Sequence, residues 1–174
     1  MKAAIVAAIV ALAASAQLRH SKLPDVKYVP TPQNVVEEML EMAHVTSADI
    51  VWDLGSGDGR IPITAAQKHG ARGVGVEIDG QLVKLARENA AKAGVDDRVW
   101  FIEGDLFETD FSSATVVTLF LMPKVNQALM PKLKALAPGS RVVSHMWDMG
   151  PDWEPDETRD VNSLIVRLWV IGPH

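Results

Sequence analysis

The chain has 174 residues, 48% hydrophobic and 22% charged, with 17 basic and 22 acidic side chains and a formal net charge of -5. That size and balance suit one folded domain and exclude a disordered chain or two full domains. The acidic excess argues against coating of nucleic acid, which needs clustered Lys and Arg, and the absence of cysteine excludes disulfide scaffolds, thiolate metal sites and cysteine nucleophiles.

Met1 and Lys2 precede an unbroken run of small and apolar residues from Ala3 to Ala16. As a helix the run would reach about 21 Å, short of a hydrocarbon core of about 30 Å. It reads as a signal peptide cut after Ala14-Ser15-Ala16, or as an N-terminal membrane anchor giving membrane association through residues 3–16. Residues 17–30 then form a separate N-terminal segment, and residues 31–174 a single domain.

Thr31 reads as an N-cap with Pro32 at the first helical position. Val35, Val36, Met39, Leu40 and Met42 follow as one apolar helical face. Asp49 to Gly55 is a short apolar strand, Ile61 to His69 a helix closed by Gly70, and Gly73 to Ile78 a second strand. Gln81 to Lys92 is a helix stopped by Gly94. Strands are expected at Val99–Ile102, Ala114–Leu121, Arg141–Met146 and Asn162–Ile171, with a helix at Asn126–Leu136. Residues 147–161, rich in Pro and acid, read as a loop or short hairpin before an antiparallel edge. Strands alternating with helices predict a mostly parallel α/β sheet covered on both faces.

The most informative segment is Val51 to Arg60, VWDLGSGDGR, where a strand runs into glycines at 55, 57 and 59 and then a helix. Such glycines let the backbone turn sharply and let a ligand approach the main chain. Glu77 closes the second strand, 22 residues after Gly55. A carboxylate there can accept both hydroxyls of a ribose. The spacing is G-x-G-x-G rather than the G-x-G-x-x-G of dinucleotide sites, with Arg60 where the third glycine would stand. Asp53 just before the turn would repel a pyrophosphate but not a cationic sulfonium amino acid. The pattern therefore favours S-adenosyl-L-methionine over NAD. After the third strand comes Gly104-Asp105-Leu106-Phe107, where Asp105 can accept from an adenine amino group and Leu106 or Phe107 can pack on the ring.

With these segments in order, the chain resembles the class I methyltransferases. Within them it is similar to the archaeal broad-specificity protein-lysine methyltransferases and the mitochondrial lysine methyltransferases of the FAM173 type. The matching stretches are Tyr28–Leu40, Val51–Ile61, Gly73–Asp79, Ala114–Asn126, Pro138–Trp147 and Leu168–His174. The resemblance implies a Rossmann-like fold with a mostly parallel seven-stranded sheet, helices on both faces and an antiparallel C-terminal edge strand. It implies that Asp53, Gly55 and Gly57 line the methionine end of the cofactor, that Glu77 holds the ribose, that Asp105 and Leu106 hold the adenine, and that Ile78 is also cofactor-binding. Tyr28 and Thr31 should fold over the cofactor. Thr118 to Leu121, including Leu119, should floor the substrate channel, with Thr118 also touching the cofactor, and with Asn126 and His145 as further channel candidates.

The implied reaction is in-line methyl transfer to lysine side chains of proteins. The alternatives are a small-molecule N- or O-methyltransferase and a non-catalytic cofactor-binding module. The expected partners are protein substrates with exposed lysines and not nucleic acid, and the expected state is a monomer. No D/N-P-P-Y/F/W turn of the amide and adenine methylases follows the fourth strand, where Leu121-Met122-Pro123-Lys124 stands. The five histidines show no metal-ligand spacing. The leader implies export or anchoring, whereas use of S-adenosyl-L-methionine implies access to the cytoplasm. Of the five tryptophans, Trp147 or Trp153 is expected near the substrate mouth.

Overall fold

The computed structural model describes residues 28–173. The leader expected at 1–16 and residues 17–27 lie outside them. Among the described residues four helices, α1 (Gln33–Met42), α2 (Arg60–His69), α3 (Gly80–Ala93) and α4 (Pro123–Lys134), pack on seven strands. The strands are β1 (Ile50–Leu54), β2 (Arg72–Glu77), β3 (Val99–Glu103), β4 (Val116–Leu119), β5 (Arg141–His145), β6 (Glu157–Val161) and β7 (Leu164–Val170). They form one sheet in the order β3-β2-β1-β4-β5-β7-β6. The first five are parallel, and β7 pairs antiparallel with both β5 and β6. The mostly parallel sheet with an antiparallel C-terminal edge is the architecture the sequence predicts.

Alternation along each strand divides the core. Val51, Val116, Val143 and Val166 face α1 and α2 with Val35, Met39 and Leu40. Trp52, Leu54, Val117, Leu119 and Val142 face the other way, toward Leu129 and Leu133 of α4. On the first face, α3 packs Val83, Ala86 and Ala90 against Val99 and Phe101. The second face is thinner. The link from β3 to β4 is not helical, and outward-facing Trp100 and Ile102 of β3 stay 50% and 38% exposed.

Two local readings change. Pro32, not Thr31, is the N-cap of α1, and its carbonyl accepts from the amides of Val35 and Val36. Thr31 gives no cap because its hydroxyl is paired with His145 instead. Residues 147–161 also end in a strand, β6, which the sequence reading left within a loop or hairpin. Asn162, read as the start of the last strand, is part of the turn. Asn162 and Ser163 have φ of 54° and 69°, as a two-residue hairpin turn of the mirror-image kind requires.

The strand order reverses between β1 and β4. In open parallel sheets the crevice at the carboxyl ends of strands flanking such a reversal is where ligands bind. Every feature of the site is placed by that edge.

Candidate active site

A cavity of about 520 Å³ opens at the carboxyl ends of β1, β2 and β4, a size that suits a cofactor-scale ligand. One wall is the turn after β1. Gly55, Gly57 and Gly59 all take left-handed φ, at 83°, 52° and 81°. At Gly57 the reason is doubled, since a Cβ there would lie 2.3 Å from Cε2 of Tyr28. The tyrosine ring thus lies where a side chain on the turn would be.

Glu77 ends β2 and is held by three amides. Its Oε2 accepts from Gly57 N at 2.9 Å, and its Oε1 accepts from Ile78 N at 2.8 Å and Asp79 N at 3.0 Å. An ionised carboxylate has about four acceptor positions, so Glu77 keeps capacity for a ligand in the cavity it lines. Asp53, near the end of β1, is 3% exposed and accepts from Thr118 Oγ1 at 2.8 Å. Burial raises its pKa to about 7, helped by the negative charges of Glu77 and Asp58 and opposed by the Thr118 hydrogen bond. Asp105 follows β3 and accepts from Phe107 N at 2.9 Å. Three carboxylates therefore stand along three neighbouring strand ends.

The N-terminal segment is fastened across this edge by Arg60. Its guanidinium donates to Asp58 from Nε at 3.0 Å and Nη2 at 2.6 Å, and from Nη1 to the Thr31 carbonyl at 2.9 Å. Burial acts to raise the Asp58 pKa, but the Arg60 hydrogen bonds and charge outweigh it and hold the carboxyl low. Burial and the Asp58 charge raise the Tyr28 phenol, so it stays protonated at neutral pH. Beyond it, Thr31 Oγ1 and His145 Nδ1 lie 3.3 Å apart, and the His145 ring packs on Phe120 at 4.1 Å between centroids. Burial depresses the His145 pKa to about 4, so the ring is neutral at pH 7.

Tyr28, Thr31, Asp53, Gly55, Glu77, Ile78, Asp105, Leu106 and Leu121 all line the cavity. Gly57 instead sits beneath Tyr28 and supplies an amide to Glu77. The stretch expected to floor the channel is divided. Thr118 and Leu119 are fully buried within β4, with Thr118 on Asp53 and Leu119 in the apolar core. Strand β4 ends at Leu119, and Phe120, Leu121 and Met122 leave the sheet to form the wall. Asn126 and His145 stand behind it. His145 is in contact with the wall through Phe120, and Asn126 follows wall residue Val125.

The sequence reading assigned no site role to Ser56, Asp58, Arg60 or Met122, which also line the cavity. Asp58 and Arg60 were visible inside the glycine motif, but only as spacing. Among the described residues no group of three His, Cys, Asp or Glu is placed to hold a metal ion. No described helix is long and apolar enough to cross a membrane.

The donor set fits an adenosyl sulfonium amino acid. It offers a buried carboxylate for an ammonium, a fixed carboxylate for a diol, and apolar Leu106 and Phe107 beside Asp105 for an aromatic ring. The buried Ser56 hydroxyl has no hydrogen-bond partner among the described residues and lies against Gly75 of β2.

Comparison with known proteins agrees. The chain is 49% identical over 160 residues to a protein-lysine N-methyltransferase of Saccharolobus islandicus, covering 88% of this chain and 99% of that one. It is 38% identical to the mouse adenine nucleotide translocase lysine N-methyltransferase, over 86% of this chain but 64% of the mouse protein. A solved structure described as an RNA methyltransferase from Salinibacter ruber, in complex with S-adenosyl-L-homocysteine, is 58% identical with a TM-score of 0.82. That match covers 84% of this chain and 95% of the other. The model of the ANTKMT methyltransferase domain matches residues 53–157, the span that begins at Asp53 and carries all three strand-end carboxylates. By that match and the relatives' identity, the chain belongs to the ANTKMT methyltransferase domain family and is an S-adenosyl-L-methionine-dependent methyltransferase.

Proposed function

We propose that the chain methylates lysine side chains of proteins. The observation that carries this is the 49% identity to an archaeal protein-lysine N-methyltransferase, matched over 88% of this chain and 99% of that one.

In this reading Asp53 faces the α-ammonium of the cofactor, Glu77 with Ile78 its ribose, and Asp105 with Leu106 its adenine. Gly55 and Gly57 bring the main chain close, while Tyr28 and Thr31 cover the cofactor and exclude water. When bound, the cofactor supplies a methyl group on sulfonium sulfur; the lysine amine's electron pair forms the new N–C bond while the S–C pair returns to sulfur. The ammonium proton leaves to water before attack. The apolar wall of Phe120, Leu121 and Met122 favours the neutral amine by desolvation. Alignment of nucleophile, methyl and leaving group contributes several kcal/mol or more of the barrier reduction.

A second reading, transfer to RNA, rests on the description of the Salinibacter ruber structure; the chain's net charge of -5 argues against it. The full chain, incubated with methyl-labelled cofactor, mixed basic proteins, small amines and RNA, separates these. Label on lysine Nζ is expected; label confined to RNA or to small amines would reject the proposal.

A further inference from the structure

Just beyond β5 the chain makes a turn that the cofactor does not require. Met146 is a non-glycine residue at φ 67°, and Trp147 N donates to His145 O at 2.9 Å across it. A three-residue turn of this sense is rare and strained. It persists because the surroundings over-determine it. Met146 N donates to Ile165 O at 2.6 Å, and Arg167 Nη1 donates to Met146 O at 2.5 Å. Ser144 Oγ donates to Trp147 O at 2.6 Å, and Asn126 Nδ2 donates to Asp148 O at 3.2 Å. Asn126 and Ser144 are both fully buried. Despite these restraints the Trp147 side chain stays 38% exposed.

Three of the other tryptophans have packing reasons for their places, and the fourth, Trp100, is 50% exposed but stands elsewhere on the sheet. Trp52 and Trp169 are in the core, and Trp153 packs on Trp169 at 5.8 Å between ring centroids. Trp100 lies on β3 at the far edge of the sheet. Trp147 has no such role, and its backbone bridges two elements of the cavity wall. One is the first turn of α4, where Asn126 follows wall residues Met122 and Val125. The other is the end of β5, where His145 packs on wall residue Phe120. Strands β4 and β5 are paired neighbours, about 4.8 Å apart. Met122 is itself 47% exposed.

We propose that Trp147 and Met122 form a collar at the substrate end of the cavity that grips the alkyl stem of the target lysine, with Asn126 and Ser144 as positioning residues for Trp147. This rests on the lysine reading above and adds which groups recognise the side chain. An indole face packs well on methylenes and attracts an incoming ammonium, and a thioether adapts to an irregular stem.

The test is steady-state kinetics on a lysine-containing protein, beside calorimetry of S-adenosyl-L-methionine, for wild type, W147A, W147F and N126A. W147A is expected to raise KM for the protein about tenfold, W147F to recover most of that, and both to keep cofactor affinity within about twofold. N126A should raise KM in the same direction with cofactor affinity kept. A KM for W147A within about twofold of wild type, or a KM loss matched by lost cofactor affinity, overturns the inference. Absence of lysine methylation by wild type that still binds the cofactor overturns the functional reading and this inference together. M122A, at a position 47% exposed, serves if W147A does not fold: it should raise KM for the protein several-fold with cofactor affinity kept, and an unchanged KM overturns the collar.

Discussion

Asp53 and His145 are buried titratable groups, and their effects on stability oppose each other. The Asp53 carboxyl is raised from 3.8 to about 7 by burial first, so folding binds a proton more tightly. Its stabilising contribution is full below pH 3.8 and is lost as pH rises toward about 7. His145 is lowered from 6.5 to about 4 by burial, so its contribution is present above 6.5 and lost as pH falls toward about 4. Asp53→Asn removes the first and leaves the second. The variant is expected to be more stable than wild type at pH 8, by of order 1–4 kcal/mol, in chemical denaturation. It should bind S-adenosyl-L-methionine at least about tenfold more weakly, through loss of a carboxylate partner for the ammonium. Wild-type affinity should rise with pH up to about 7 as Asp53 ionises. A flat profile would take Asp53 out of the ammonium site. Gly57→Ala tests the tyrosine seat. With φ at 52° and Tyr28 Cε2 2.3 Å from the new Cβ, it should cost about 1–3 kcal/mol of stability and weaken cofactor binding, read by thermal melts and calorimetry.

At the scale of elements, the parallel strands β1 to β3 were legible because each ends in a chemically distinct residue. Asp53, Glu77 and Asp105 stand at or just past strand ends, so period, glycine and acid agree on one edge. The contact of Thr31 with His145 was not legible, because it joins residues 114 positions apart and nothing local marks it. Strand β6 was missed for a related reason. Its sequence, Glu157-Thr158-Arg159-Asp160-Val161, is mostly polar, and pairing with β7, the ion pair of Arg159 with Glu38 at 2.6 Å and the packing of Val161 on the core fix it. The opposite edge of the sheet is tied by Asp49. It accepts from Thr115 Oγ1 at 2.7 Å and pairs with Arg141 at 2.6 Å. Burial acts to raise its pKa, but Thr115, the Thr46 amide and Arg141 outweigh that and hold it low. Arg141→Ala leaves this partly buried carboxylate short of its partner. It should cost about 1–3 kcal/mol of stability in denaturant while leaving cofactor affinity unchanged, since the pair lies at the far ends of β1 and β5. A loss of affinity without a loss of stability would contradict that division.

Over the whole molecule, one sheet edge concentrates the chemistry and the other faces are packing. The thin cover over β3, where Trp100 and Ile102 remain exposed, follows from a link from β3 to β4 that forms no helix. The acidic balance, legible from composition, becomes specific only when folding collects five carboxylates around one guanidinium in a single cavity. Glu77 joins the two scales, since the carboxylate offered to the ribose also holds the amides of Gly57, Ile78 and Asp79. Titration calorimetry of S-adenosyl-L-methionine into wild type and Glu77→Gln therefore tests the site most directly. Wild type is expected to bind one equivalent, and the variant to lose about 1–3 kcal/mol of affinity through an acceptor exchanged for a donor. Equal binding by the two proteins, or none by wild type, would contradict the assignment of this cavity to the cofactor.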